Sequence, residues 1–261
     1  MKINLYQTYA FIHHFFQSKS GGHGVHSPFA YGLCEEVFYN KSHFSDFDAL
    51  DQVRKKLLSD TSVLTIDDHG AGSHYSKSRQ RTVQEIARTS TSSKQKSELL
   101  YRLANYLKVT TCVELGTNLG LTTLYLAKCT SCVITIEGSE ALYRFSQELF
   151  CSQKQKNIVA HLALFDEVLP KILQEEKPEL IFIDGNHRKE PTLRYFNMLL
   201  QKAENESVFV FDDINWSKEM QEAWREIIDH PKVTLSIDCF YFGLIFFRSE
   251  IKEKIKLKLR L

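Results

Sequence analysis

The stretch TCVELGTNLGLTTLYLAK, residues 111–128, runs from an apolar, β-branched segment through a glycine turn into a helical segment. At its centre Val113, Glu114, Leu115, Gly116, Thr117, Asn118, Leu119 and Gly120 carry the spacing E-x-G-x-x-x-G. Gly116 lets the backbone turn tightly against a ligand, and Gly120 lets the following helix pack closely on the strand. The spacing differs from G-x-G-x-x-G, in which a pyrophosphate rests on bare backbone amides at a helix N-terminus.

Outward from this turn the same rhythm repeats. TCVEL is followed by LTTLYLAK, CVITIE by ALYRFSQELF, NIVAHLAL by EVLPKILQ, ELIFID by PTLRYFNMLLQK, and SVFVFD by SKEMQEAWREII. Five strand-then-helix units predict a parallel, doubly wound α/β sheet. In the last helix Met220, Trp224, Ile227 and Ile228 recur at spacings of three and four, Ser217 caps the start, and Pro231 lies just past the end. KVTLSID and FYFGLIFF then follow with too little chain between them for a crossover helix, so they predict a closing antiparallel hairpin.

Residues 1–93 lack this rhythm and read as a mainly helical extension, leaving 94–261 as the Rossmann-like domain. In the extension Ser27 and Pro28 open a helix after Gly21, Gly22, His23 and Gly24. The turn-rich DDHGAGSH, Asp67 to His74, leads to Lys77, Arg79 and Arg81. It reads as a solvated loop, or as a lid whose Arg79 and Arg81 grip an anionic substrate. His23, His26, His69 and His74 fit turn and capping roles better than a second metal site. The terminal KEKIKLKLRL reads as a solvated tail or a strand edge.

The 261 residues carry 33 Lys and Arg against 32 Asp and Glu, a net charge of +1, which gives no reason to expect a nucleic-acid partner. No secretory leader and no apolar run of about 18 residues is seen, so no membrane partner is expected and the cytoplasm is the default. Six scattered cysteines, with Cys129 and Cys132 a lone C-x-x-C, do not make a disulfide framework or a zinc site. A small-molecule acceptor is the expected partner, and a homodimer stays open.

The second strand ends Ile136, Glu137, Gly138, placing a carboxylate where a ribose would lie. A carboxylate accepts from both ribose hydroxyls, so glycine turn and downstream acid together read as a nucleoside site, against a structural turn with an incidental Glu. The fourth strand ends at Asp184, before Gly185, Asn186 and His187, and the fifth at Asp212 and Asp213. Neighbouring parallel strands present these ends at one edge, so three carboxylates converge and a compensating cation is expected. All-oxygen ligands favour Mg²⁺ or Ca²⁺. In the bland alternative, Asp184 touches only a cofactor ammonium while Asp212 and Asp213 cap a loop or helix. Trp216 either walls an aromatic acceptor or packs in the core.

These motifs resemble the class I S-adenosylmethionine-dependent methyltransferases, and among them the metal-assisted O-methyltransferases of the catechol and caffeoyl-CoA type, over about residues 94–247. The segments FDDINWSKEMQEAW, HGVHSPF and GAGS also look like a group of bacterial methyltransferases with a helical N-terminal extension. A cationic sulfonium cofactor has no phosphate, in keeping with the glycine spacing. The resemblance implies that Glu114, Gly116, Thr117, Asn118 and Gly120 form the methionine-side loop and that Thr122 meets the cofactor carboxylate. It further implies that Glu137, with Gly138, holds the ribose and that Phe165 and Asp166 border the adenine. Ala163 and Leu164 stand where the family often has Gly and a small residue.

By the same resemblance Asp184, Asp212 and Asp213 hold a divalent ion, Mg²⁺, and Asp184 also faces the cofactor. His187 lies where the catechol enzymes place a catalytic lysine, and it suits proton removal at neutral pH, a surface or helix-start histidine being the alternative. Asn186 stands where related sugar methyltransferases have an acid. The expected activity is O-methyl transfer to a small hydroxylated acceptor. Its rivals are a non-catalytic cofactor-binding or scaffold protein and an NAD(P)-dependent oxidoreductase.

Overall fold

The computed structural model describes residues 5–21, 25, 27–67 and 79–261. In chain order the elements are α1 (Leu5–Gln17), α2 (Pro28–Leu33) running into a π-helical turn (Cys34–Phe38), α3 (Ser45–Ser59), β1 (Val63–Thr65), β2 (Gln80–Thr82), α4 (Val83–Thr89) and α5 (Lys94–Tyr106). They continue as β3 (Thr111–Leu115), α6 (Leu121–Ala127), β4 (Cys132–Glu137), α7 (Glu140–Ser152), β5 (Ile158–Leu162), α8 (Phe165–Glu175) and β6 (Leu180–Ile183). The last are α9 (Lys189–Leu200), β7 (Val208–Asp212), α10 (Lys218–Asp229), β8 (Leu235–Asp238), β9 (Phe242–Phe246) and β10 (Ile255–Lys258). Two compact units result, one of residues 41–178, the other of 1–40 together with 179–261.

In the unit of residues 41–178, β3, β4 and β5 are parallel, Val113 opposite Ile134 and Ile134 opposite Val159. The apolar runs of β3 and β4 are expected of strands covered on both faces, whereas β5 is half exposed. Phe47, Leu50, Val53 and Leu57 follow one another at spacings of three and four on α3 and are buried with Leu121, Leu124 and Tyr125 of α6. Half of the extension is therefore part of this core. β1 and β2 form a short antiparallel pair, Leu64 opposite Arg81.

In the other unit β6 and β7 are parallel, β9 runs antiparallel to both β7 and β8, and β10 lies parallel to β8. The expected closing hairpin is β8 and β9. The basic tail resolves into a strand edge, with Ile255, Leu257 and Leu259 alternating with lysines as a half-buried strand requires. Ser27 accepts from the backbone N–H of Ala30 with Pro28 just inside the helix, as read from the sequence. Ser217 caps α10 through the N–H of Met220, and Met220, Trp224 and Ile227 are buried. On α1, Ala10 and His14 are buried, and His14 Nε2 lies 3.2 Å from Asp238 Oδ1.

Candidate active site

The glycine turn is built in two layers. On the outer one, Gly116 takes φ 105° and Gly120 takes φ 82°, conformations in which a Cβ is strained. A Cβ at Gly120 would also stand 2.6 Å from Cε1 of Phe150, so α7 closes directly on the turn. The backbone N–H groups of Gly116 and Thr117 both donate to Ile136 O of β4, at 3.0 and 3.3 Å.

Beneath lies Glu114, fully buried. Its Oε2 accepts from Thr123 Oγ1 at 2.5 Å and from Thr135 Oγ1 at 2.7 Å, and Thr135 Oγ1 lies 2.6 Å from Thr117 Oγ1. Burial lifts its pKa to about 7, against the downward pull of the two threonines and with a further upward push from Glu137. Glu114 thus braces the turn from inside rather than lining its open side. Thr122, in the first turn of α6, is buried as well.

Glu137, partly exposed at the end of β4, is held at both oxygens: Oε2 accepts from the N–H of Asn118 at 2.8 Å and Oε1 from the N–H of Ser139 at 2.9 Å. A carboxylate oxygen has more than one acceptor position, so a carboxylate aimed in this way is of a kind that also takes ribose hydroxyls. The N–H of Ala163 donates to Glu137 O at 3.0 Å, bringing the loop that starts α8 to the same strand end. Phe165 there is partly exposed and Asp166 exposed. A pinned carboxylate behind a positive-φ glycine turn fits a nucleoside cofactor.

The second cluster, in the other unit, centres on His187. Its Nε2 stands 3.8 Å from Asp184 Oδ1 and 3.8 Å from Asp213 Oδ2. Asn186 and Asp213 both adopt positive φ, 56° and 53°, which asparagine and aspartate tolerate better than most residues. Asn186 Nδ2 lies 3.3 Å from the Tyr195 hydroxyl. Asp212 is buried at the end of β7.

Among the described residues no three His, Cys, Asp or Glu side chains gather as a metal ion needs. The expected Asp184, Asp212 and Asp213 set is not gathered as a metal centre among them, and the His187 ring stands 3.8 Å from both Asp184 and Asp213. Trp216 is partly buried, and its carbonyl accepts from Gln7 Nε2 at 3.2 Å.

Arg81, expected to grip substrate, is instead buried and donates to Ser90 Oγ at 3.3 Å and to Thr89 Oγ1. Arg79 contributes a carbonyl to the N–H of Ile66. His23, His26, His69, His74 and Lys77 lie outside the described residues, as does all of DDHGAGSH after Asp67. Sequence reasoning missed Thr123, Thr135, Ser139 and Ser90. Only the threonines left a signal, as polar residues inside otherwise apolar runs.

Residues 113–214 match the family model described as a methyltransferase domain. Solved structures share its fold: an O-methyltransferase from Bacillus cereus in complex with SAH is 17% identical, with a TM-score of 0.54 over 83% of this chain and 96% of that one. The O-methyltransferase TomG from Streptomyces achromogenes, involved in tomaymycin synthesis and solved with SAM, is 16% identical, with a TM-score of 0.57 over 84% and 95%. The SAH-bound methyltransferase PaMTH1 from Podospora anserina is 15% identical, with a TM-score of 0.56 over 80% and 99%. No curated protein matches. The likeness to class I methyltransferases drawn from the sequence holds in the family model and the fold. Among the described residues no helix is long and apolar enough to cross a membrane.

Proposed function

We propose that this chain is an S-adenosylmethionine-dependent O-methyltransferase acting on a small hydroxylated acceptor. The observation that carries the reading is Glu137, fixed by two backbone N–H groups behind the Gly116–Gly120 turn. In this reading Glu137 takes the ribose hydroxyls, Gly116 to Gly120 pass along the methionine portion with Thr122 at its carboxylate, Phe165 and Asp166 border the adenine, and Asp184 meets the ammonium group. When bound, the sulfonium cofactor supplies an electrophilic methyl group.

The chain's own part is to orient the acceptor and take its proton. An imidazole with two carboxylates near its Nε2 is suited to this, because the imidazolium it becomes is met by opposite charge. His187 is the general base in this reading, with Asp184 and Asp213 as its partners. No step is assigned to magnesium. All six cysteines are free, in keeping with a reducing cytoplasm.

S-adenosylhomocysteine should raise the melting temperature of the wild type, since a ligand of the folded state alone stabilises it by mass action. Glu137→Ala should weaken its binding roughly 10- to 100-fold, the size of a charged hydrogen bond of about 1.5–3 kcal/mol. Calorimetry with no heat in the wild type, or with equal affinity in the variant, overturns the cofactor reading. Activity should survive EDTA, and His187→Ala should lower kcat about 100-fold or more and abolish the acidic limb of the pH profile. Loss of turnover in EDTA and its return with Mg²⁺ would restore the metal and displace His187 as the main source of rate.

A further inference from the structure

Asn118 is held at three of its polar groups, all within the unit of residues 41–178. Its N–H donates to Glu137 Oε2, its side-chain Oδ1 accepts from the N–H of Leu119 at 2.7 Å, and its Nδ2 donates to the carbonyl of Ser90 at 2.8 Å. Its φ of 52° is left-handed, a region that asparagine tolerates better than most residues, so the turn that presents the N–H to Glu137 is shaped at this residue. The bond to Ser90 is the long-range tether that keeps it there, since it spans 28 residues whereas the bond to Leu119 is local.

Ser90 is itself clamped. Buried Arg81 of β2 reaches Thr89 Oγ1 and Ser90 Oγ, and Arg54 of α3 donates to Ser92 O at 2.9 Å and to Ser97 Oγ at 3.2 Å. Two guanidinium groups thus fix the segment 89–92 between α4 and α5. A planar guanidinium fixes more than one partner at once, which suits it to setting the position of a loop.

We propose that Arg81, Ser90 and Asn118 form a positioning relay, by which a residue of the N-terminal extension aims the ribose-binding carboxylate Glu137. None of the three need touch the cofactor through its side chain. The relay rests on the cofactor reading given above. It assigns the extension a role in cofactor affinity, separate from any role in choosing the acceptor.

The test measures, by calorimetry on the full chain, the affinities of S-adenosylhomocysteine and of its 2′-deoxy analogue. Their ratio reports how well Glu137 is aimed at the 2′-hydroxyl, and a general loosening of the fold would weaken both ligands and leave it unchanged. Wild type should favour the ribose form by about tenfold or more, and Glu137→Gln should lower that ratio. Asn118→Gly keeps the left-handed backbone accessible while deleting the tether, and should lower the ratio at least threefold. Arg81→Ala should act in the same direction. Combined with Asn118→Gly it should add almost nothing, as two cuts in one relay do.

An unchanged ratio in Asn118→Gly, or equal weakening of both ligands, overturns the relay, and this holds even if Arg81→Ala does not fold. Absence of binding in the wild type, or a ratio indifferent to Glu137→Gln, overturns the cofactor reading itself. Discrimination that depends on Glu137 but not on Asn118 removes the relay alone.

Discussion

Glu114 shows what a single buried carboxyl does to the pH response. With its folded pKa near 7 and an ordinary carboxylate value when unfolded, the native state retains a proton that the unfolded chain has released. Between about pH 4.5 and 7 stability should therefore fall as pH rises, by on the order of 3 kcal/mol, and level off above pH 7. Glu114→Gln has nearly the same shape and no charge, so urea midpoints measured from pH 4.5 to 8 should become flatter by that amount. A variant with the wild-type slope would place the titration elsewhere. The sequence marked Glu114 as a member of the turn, because its spacing from Gly116 and Gly120 is local. That its partners are Thr123 and Thr135 depends on which strand lies beside which, and one-dimensional spacing does not carry that information. The same holds for Arg81, a basic residue beside a turn-rich segment, whose burial arises from Thr89 and Ser90.

At the scale of elements, the five strand-helix units were readable because the strands are short apolar, β-branched runs and the helices between them repeat near 3.6 residues. β1 and β2, three residues each, are too short to show a period, and β10, four residues long, lies in a tail with five basic residues that reads as solvated. That α3 belongs to the core of the α/β unit was not legible either, since an amphipathic stripe says that a face is buried but not against what. Leu50, 2% exposed in that stripe, gives the check. Leu50→Ala should cost about 2–5 kcal/mol in chemical denaturation, the range for a buried leucine that leaves a cavity. A cost under 1 kcal/mol would mean that α3 is only loosely docked.

For the whole molecule, the boundary between residues 93 and 94 drawn from sequence rhythm has a testable cost. A fragment of 94–261 lacks Phe47, Leu50, Val53, Leu57, Val83 and Ile86, which are buried with Leu119, Leu121, Leu124, Tyr125 and Leu142. It should bind ANS and aggregate, whereas the full chain should do neither, and a monomeric, cooperatively melting fragment would refute this. The other unit has its own peculiarity, because its two sequence segments are stitched at their far ends. Lys19 donates to Lys258 O at 2.8 Å, Arg260 donates back to Lys19 O at 2.9 Å, and the Tyr39 hydroxyl reaches Arg260 O at 3.1 Å. On a translating ribosome the first forty residues must therefore wait while the whole of 41–178 emerges, roughly 7–30 s at 5–20 residues per second, and then for the final strand. Residues 41–178 should become protease-resistant on stalled nascent chains well before α1 does, and α1 should gain protection only once β10 has left the exit tunnel. β10 is thus the latch for α1, a helix made some two hundred residues before it.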